Sequence, residues 1–454
     1  MATHTTSSDA AHASNASVPA AERIFTFTDA AALWFSLGVG LLVMQVGAYL
    51  RPGLSLPQAA GAIALGSLLG AGLLAWVAGI GSRHGLSSSA LIGRTLGQRF
   101  AMLPVALNVV QLLGWTAFEL VIMRDGTRTI VEQVFGARGA WVPVVATLAW
   151  GSLLLVLASG RMIGLVRRFV SRAAMPLIVA SLLWLSYQFG LKAWQHGFAT
   201  LWAQPGDGSM SLLAAVDLVI AMPVSWLPLV ADYARYGRNA GATARGTWLG
   251  YAAANIWCYG LGVLVISVSP ANIDMLSTLL LAQGGLIALG FILVDEVDNA
   301  YGDVHSGAVS TDFLARTCRA APSVLDPQGG RVGEPTLGAV NSRWSIRRIG
   351  MTLVLLATAA ALALPMHALE PFLLTLSSIF VPLFGVVIAQ LAPGLPPQSN
   401  WRWGPMTVWL LGIGVFQLGT VWWPNWGSAL PSLAFTLLAA GALRWREARA
   451  PAAA

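Results

Sequence analysis

One face of an apolar stretch in this chain carries side chains suited to hold a flat, nitrogen-containing ring. The stretch reads NVVQLLGWTAFEL, and Gln111, Trp115 and Glu119 recur in it every four residues. That spacing places them on one side of a helix. An indole can stack on a planar ring, which adds about 0.5–1.5 kcal/mol beyond area burial. A glutamine amide offers an acceptor beside its donors. We therefore expect Trp115 to stack a heterocycle and Gln111 to read an aminopyrimidine-like edge.

A second group of candidates lies near the middle of the chain, in AMPVSWLPLVADYARYGRN. Pro223 and Pro228 each remove a backbone donor and clash with the preceding turn, at a cost of about 3 kcal/mol or more inside a helix. Between them lie Ser225 and Trp226. We expect the hydroxyl and the second indole to face the same ring from the opposite side. The alternative is that these tryptophans, like most of the 19 in the chain, lie in interfacial belts.

A third group is acidic. The stretch FILVDEVDNAYGDVHSG carries Asp295, Glu296 and Asp298, with Asn299 beside them. A carboxylate at the centre of a bilayer costs about 2.5–3.5 kcal/mol on insertion scales, and such residues usually line an ion or substrate path. Oxygen ligands suit Na⁺, and a protonated carboxyl could carry H⁺ instead. Alternatively, the span ends before these acids and they lie among the headgroups, as we expect for Asp303.

Two more acids lie inside apolar stretches. Glu119 is a candidate for ion coupling, although it could instead pair with Arg124 at the outer interface. Asp217 is a weaker candidate. Asp232 and Arg235, three residues apart, are close enough on a helix to pair as a gate or brace.

Composition identifies the setting of these groups. The 454-residue chain is 56% apolar and 10% charged, whereas soluble proteins carry roughly 25% charged residues. This indicates an all-α, polytopic membrane protein. The net charge of +7 is what basic cytoplasmic loops produce, so no nucleic-acid partner is expected. Cys258 and Cys318 suggest no disulfide framework, and the first 22 residues have no signal-peptide pattern.

Twelve stretches are long enough to span a membrane. They cover about 30–50, 57–80, 103–124, 140–160, 171–190, 212–236, 246–268, 273–302, 347–366, 370–392, 405–423 and 427–445. With the N-terminus inside, 21 of the 26 lysines and arginines fall on the cytoplasmic side. The positive-inside rule therefore predicts that both termini are cytoplasmic.

Two spans carry matching interruptions. The first contains SLGVG, with Gly38 and Gly40, and the sixth contains the two prolines. These spans open two sets of five helices, 30–190 and 212–392, which are inverted because five is odd. Interrupted helices at corresponding places of inverted repeats indicate a transporter's binding site at the membrane midplane.

The remaining segments complete the predicted organisation. Residues 1–29 are expected to form a disordered cytoplasmic tail, residues 393–446 the last two helices, and residues 447–454 a C-terminal tail. Residues 303–345, which include LDPQGGRVGEP, are expected to form a flexible cytoplasmic loop.

Several motifs together resemble a known family. GLSSSALIGRTLGQRF, NVVQLLGWT, PVSWLPLVADYARY, DVHSGAVS and EPFLLTLSSIFVPLFGVVIAQ are similar to the nucleobase:cation symporter-1 family, and most similar to its cytosine and hydroxymethylpyrimidine permease (CytX-type) branch. The resemblance covers roughly residues 30–392. It implies a LeuT-type fold of two inverted five-helix repeats plus two further helices. It also implies uptake of a pyrimidine by alternating access, driven by a cation gradient.

The resemblance also implies site residues. The substrate positions would be Gln111, Trp115, Ser225 and Trp226, with the backbone of the first-helix break at Gly40. A cation site would use carbonyls of that break and side chains of the eighth helix, which here gives a possible Na⁺ site at Gly38, Leu41, Asp298 and Asn299. Where relatives have a stretch rich in Thr, Ser and Asn, this chain has acids that include Asp295 and Glu296. The departure leaves Na⁺ and H⁺ both open as the coupling ion.

These inferences predict a multi-pass symporter of the plasma membrane. It would import a small pyrimidine, with hydroxymethylpyrimidine (a thiamin precursor) first and cytosine second, together with a monovalent cation. No cofactor is expected. The alternative within transporters is a proton-coupled carrier of the same fold for an amino acid or amine. An enzyme is disfavoured because the sequence has no HExxH motif, no metal-spaced histidine cluster and no nucleophile motif.

Overall fold

The computed structural model describes residues 16–160, 175–270, 275–319, 345–363 and 369–449, which form helices joined by short connections. In chain order these are α1 Phe27–Ser36, α2 Leu41–Tyr49, α3 Leu56–His84, α4 Ser88–Leu96, α5 Met102–Phe135, α6 Trp141–Ala158, α7 Met175–Gln195, α8 Phe198–Ala203, α9 Leu212–Ser225, α10 Leu227–Ala234, α11 Ala240–Ser267, α12 Met275–Leu280, α13 Gly285–Arg319, α14 Ile346–Ala363, α15 Leu369–Leu391, α16 Trp403–Trp422 and α17 Ala429–Arg449. The expected all-helical architecture is confirmed.

Membrane-spanning length and apolar composition single out most of these helices. Within the described residues, nine are long and apolar enough to cross a bilayer, with α9 and α10 taken together as one. The bent pair of α1 and α2 raises the number to ten. The predicted count of twelve also included α13 and α17, which are absent from that set. In α13 the reason is its run of acids, and α17 ends in EAR with arginines in its last turns.

The first span breaks where the glycines predicted it. Helix α1 ends at Ser36, α2 begins at Leu41, and the two axes differ by 63°. A Cβ added to Gly38 would lie 2.8 Å from the Cβ of Ala254 in α11, so the break also brings two helices together. The helix is therefore interrupted here. The interruption lets the chain pack closely on α11 and frees backbone groups from helical hydrogen bonds.

The sixth span is interrupted more gently. Only Trp226 separates α9 from α10. Pro223 lies inside α9, and Pro228 lies in the first turn of α10, where its missing donor is tolerated. Both predicted breaks exist, but the sixth span is not bent by more than 40°, whereas the two halves of the first span differ by 63°.

Helix α13 corrects the expected end of the eighth span. The sequence predicted a span over 273–302 followed by a loop from 303. Instead α13 runs without a break to Arg319, and residues 320–344 lie outside the described part. Ser306 and Ser310 are fully buried in this extension. Hydropathy alone does not distinguish polar residues buried against other helices from polar residues in a loop.

Residues 16–29 also differ from the expected disordered tail, of which 1–15 lie outside the described residues. The N–H of Val18 donates to the Gly85 carbonyl over 2.9 Å, and that of Phe25 to Tyr236 over 2.9 Å. The guanidinium of Arg23 donates to the carbonyls of Val18 and Ser82. This segment therefore ties the end of α3 to the turn after α10.

The interior is organised around two bundles. In one, α11 packs against α3, α1 and α2, and α9 packs against α3. In the other, α5 packs against α13, α6 and α14. The broken first and sixth spans belong to the first of these bundles, and α15 and α16 pack against α17. A central space bounded by both bundles is where the predicted site residues meet.

Candidate functional site

A buried cavity lies at the two helix breaks. Four spans line it: the first, the third (α5), the sixth and the eighth (α13). The lining residues are Leu37, Gly40, Leu42, Val43, Trp115, Glu119, Met222, Ser225, Trp226, Glu296, Asn299 and Asp303. Seven of the predicted site residues are in this set. The cavity is narrow. Its volume is about 20 Å³, which is enough for one or two water molecules. A ring would enter only when the helices or side chains around the space move apart.

Both indoles predicted to hold a ring face the cavity. Trp115 packs edge-on against Phe372 of α15, with 5.3 Å between ring centroids. Its Nε1 has no hydrogen-bond partner among the described residues. Trp226 packs edge-on against Trp34 of α1 at 6.0 Å. Each ring is fixed at its edge by another aromatic ring, so its lining surface is held in a defined orientation.

Gln111, the predicted reader of the ring's edge, lies behind the cavity wall. It is 1% exposed and does not line the cavity. Its Nε2 donates to Asn108 Oδ1 over 2.8 Å and to the Ser225 carbonyl over 3.1 Å. Gln111 therefore supports the break in the sixth span, whereas Glu119, further along the same helix face, lines the cavity.

Ser225 lines the cavity with its hydroxyl already engaged. Its Oγ donates to the Met222 carbonyl over 2.7 Å. The hydroxyl of Ser225 is thus left with acceptor capacity, while its carbonyl is held by Gln111.

Side chains of α13 satisfy the backbone groups freed by the first-span break. The N–H of Leu41 donates to Glu296 Oε1. Asn299 Nδ2 donates to the Val39 carbonyl over 3.1 Å and to Glu296 Oε2 over 3.4 Å. A Cβ at Gly40 would lie 3.3 Å from both Glu296 carboxyl oxygens, so the glycine makes room for this contact.

The residues of the possible Na⁺ site take other partners in this structure. Leu41 contributes its N–H, and Asn299 presents its amide nitrogen to the break. Gly38 packs on Ala254, and Asp298 accepts a hydrogen bond from Ser36 Oγ over 3.3 Å. In this conformation Leu41 and Asn299 therefore contribute N–H donors at the break, and not free oxygen atoms that could bind a cation.

The acids of the eighth span are buried rather than placed among headgroups. Asp295, Glu296 and Asp303 are at most 3% exposed. Asp295 accepts from Ser36 Oγ over 3.4 Å. Asp303, which we expected at the interface, lines the cavity instead. Sequence reasoning missed it because the extension of α13 beyond residue 302 was not recognised.

Glu119 and Glu296 meet across the cavity. Glu119 comes from the third span and Glu296 from the eighth, and both carboxyl groups line the same space. Glu119 does not pair with Arg124, which instead forms a 2.8 Å ion pair with Asp125 and donates to the Ala361 carbonyl.

The other acids considered from sequence have different roles. Asp217 accepts from the N–H groups of Ser428 and Ala429 and so caps the start of α17. Asp232 accepts the N–H of Ser88 over 2.9 Å. In the part of the chain that the structure describes, Asp232 forms no ion pair with Arg235, whose guanidinium lies 5.1 Å from the Tyr236 ring. The predicted direct pairing is therefore wrong for this conformation.

Comparison with known proteins gives the same architecture. The profile of a family described as "Permease for cytosine/purines, uracil, thiamine, allantoin" matches residues 17–283. Among solved structures, the chain is similar to Mhp1, a nucleobase-cation-symport-1 family transporter, in a closed conformation with bromovinylhydantoin bound. The identity is 16%, the alignment covers 96% of each chain, and the TM-score is 0.72. The inward-facing conformation of Mhp1 is also similar, at 16% identity and a TM-score of 0.68, over 96% of this chain and 93% of that one.

A substrate-bound, outward-open Na⁺-coupled sialic acid symporter is a more distant neighbour. It is 11% identical over 94% of this chain and 91% of its own, with a TM-score of 0.59. No curated protein matches the chain significantly. The structural neighbours confirm the expected LeuT-type fold, and the profile covers more than half of the chain.

Proposed function

The chain belongs to the family of permeases for cytosine/purines, uracil, thiamine and allantoin, and from this premise we propose that it imports a small pyrimidine by cation-coupled symport. Hydroxymethylpyrimidine, a thiamin precursor, is the first candidate substrate and cytosine the second. Membership of this family makes the protein a multi-pass membrane transporter and not an enzyme.

One observation carries the proposal: two indoles line a cavity at the breaks of two helices. Trp115 and Trp226 offer flat apolar surfaces, and Glu119, Asn299 and Ser225 place polar atoms around them. A planar ring with polar edge atoms is the ligand that uses both features. Substrate contacts are assigned to Trp115, Trp226, Ser225 and Gly40, with Gln111 positioning Ser225.

The proposal includes a mechanism and an orientation. The five-helix sets 30–190 and 212–392 would open the cavity to each side in turn, while the helices of 393–446 stay outside this movement. The excess of basic residues in alternate loops supports a plasma-membrane protein with both termini in the cytoplasm. The coupling cation would bind near the first-span break and α13, and Na⁺ and H⁺ are both compatible with the proposal.

A second candidate is an amine or amino-acid carrier of the same fold. The observation that favours it is the acidic lining contributed by Glu119, Glu296 and Asp303. An ammonium group would bind such a lining without needing the flat indole surfaces.

Uptake of radiolabelled hydroxymethylpyrimidine and cytosine into proteoliposomes tests the proposal. A Na⁺ gradient and a pH gradient are imposed separately. Trp115→Ala removes one stacking surface, worth up to about 1.5 kcal/mol beyond burial, so we expect uptake at low substrate to fall about tenfold. The control is Trp422→Ala, at a residue that is 63% exposed and does not line the cavity.

The outcomes separate the candidates. Uptake that follows one gradient, falls in Trp115→Ala and survives in Trp422→Ala supports a pyrimidine symporter. No uptake of either base under either gradient contradicts it. Uptake of amines that Trp115→Ala leaves intact would favour the amine carrier.

A further inference from the structure

Among the described residues, the side chains that line the cavity include three acids and no base. Glu119, Glu296 and Asp303 line it, and no Lys, Arg or His does. A cationic ligand is complementary to such a lining, because an ionised carboxyl group attracts a positive charge most strongly at low dielectric.

The groups that surround Glu119 in the cavity are acidic or uncharged. The eighth span contributes Glu296 and Asp303, with Asp295 nearby, and the parts of the first and sixth spans that line the cavity are uncharged. The nearest base on its own helix, Arg124, is held by Asp125 and the Ala361 carbonyl. The described protein supplies no cation to this cavity.

Unused hydrogen-bonding atoms give an independent indication of the ligand. Glu119 Oε2 and Asn299 Oδ1 are buried and have no hydrogen-bond partner within the described ranges. Their residues are 5% and 4% exposed and both line the cavity. Both atoms are acceptors, and an unmet buried acceptor is costly. The complementary ligand carries several N–H donors.

We propose that the cavity takes its substrate as a planar cation with an amidinium-type edge. In an aminoheterocycle that is protonated on the ring nitrogen beside its amino group, adjacent N–H donors share a delocalised positive charge. The donors match Glu119 Oε2 and Asn299 Oδ1, and the positive charge is complementary to the carboxyl groups of Glu119, Glu296 and Asp303. The faces of Trp115 and Trp226 attract the same cation through their π electrons. This deepens the proposed function and rests on it.

The proposal specifies where the proton travels. The ring nitrogen takes a proton from the outer medium, the protonated heterocycle crosses the membrane as a cation, and the proton is released on the inner side. No bond other than N–H forms or breaks, and each heterocycle carries one positive charge. An oxo-pyrimidine such as uracil would point a carbonyl oxygen at Glu119, so neutral oxo-pyrimidines should be poor ligands.

Two probes of equal shape test the inference. Benzamidinium is planar and positively charged, and benzamide has nearly the same shape without the charge. Each is titrated against uptake of labelled cytosine by wild-type proteoliposomes in Na⁺-free buffer. Binding is also followed in detergent by quenching of tryptophan fluorescence. We expect benzamidinium to act at concentrations at least tenfold lower than benzamide.

Variants locate the effect. Glu119→Gln keeps the shape of the side chain and removes its acid, and we expect the preference for benzamidinium to shrink at least tenfold. Glu119→Asp keeps the acid and should preserve the preference. The matched control, Glu132→Gln, removes an acid of the same helix that pairs with Arg128 at 3.7 Å outside the cavity, and should leave the preference unchanged.

The inference and the proposed function fail in different ways. If wild type takes up cytosine but benzamide or uracil competes as well as benzamidinium, the cationic ligand is wrong and the pyrimidine symporter stands. A preference that survives in Glu119→Gln would equally overturn the inference. If benzamidinium binds tightly but no pyrimidine is transported, the cationic ligand class is supported and the pyrimidine cargo is wrong.

Discussion

At the scale of single residues, one face of the third span carries two kinds of side chain: those that line the cavity and one that supports a helix break. Gln111, Trp115 and Glu119 share one helix face, yet only the last two line the cavity. The amide of Gln111 holds the Ser225 carbonyl from behind. Gln111 therefore supports the helix break, and Glu119 is the polar side chain of this face that lines the cavity.

Replacing Gln111 should weaken the fold and transport together. Gln111→Leu leaves Asn108 Oδ1 and the Ser225 carbonyl without their donor, which costs about 1–3 kcal/mol when the groups are buried. We expect a lower unfolding temperature in detergent and reduced cytosine uptake. Gln133→Leu, at an exposed position of the same helix, should change neither. Lost uptake with an unchanged unfolding temperature would show that Gln111 contacts the substrate directly.

At the scale of elements, the first span is held by close packing on α11. Gly250 lies against the Ala31 carbonyl, and Gly262 against the Met44 carbonyl, so that a Cβ at either position would clash. Small residues of this kind let membrane helices approach closely. This close approach positions α1 and α2 against α11. It therefore fixes the 63° bend between them and the position of the break relative to α13.

A bulky side chain at this contact should displace the first span. Gly250→Val would push the backbones of α11 and α1 apart. Overpacking of this kind typically costs about 1–3 kcal/mol. We expect a lower unfolding temperature and slower uptake. Gly260→Val is the matched control, because nothing within 4 Å would meet a Cβ there. Equal stability of the two variants would contradict the packing argument.

At the scale of the whole molecule, the predicted topology assigns each helix end to one side of the membrane. The eighth span carries Cys318 at its end, one residue before α13 stops at Arg319. Cys318 is exposed, whereas Cys258 is buried in α11. The positive-inside rule predicts that this end of α13 is cytoplasmic.

A membrane-impermeant thiol reagent can test that orientation in intact cells. We expect Cys318 to react only after the membrane is permeabilised, and Cys258 to stay unmodified in the folded protein. Cys318→Ser should abolish the labelling and identifies the site. Labelling of Cys318 in sealed cells would place this end of α13 outside and reverse the predicted topology.

The sequence by itself determined the helical, membrane-spanning architecture, the two interrupted spans and the helix face shared by Trp115 and Glu119. These features are local: hydropathy, glycine and proline conformation and the helical period act within a few residues. Tertiary structure alone decided that α13 continues past Asp303, that Asp217 caps α17 and that Gln111 supports a break. Each depends on which helix lies opposite, because the same polar side chain is a loop residue in water, a cap at a helix end or a ligand group in a cavity according to its neighbours.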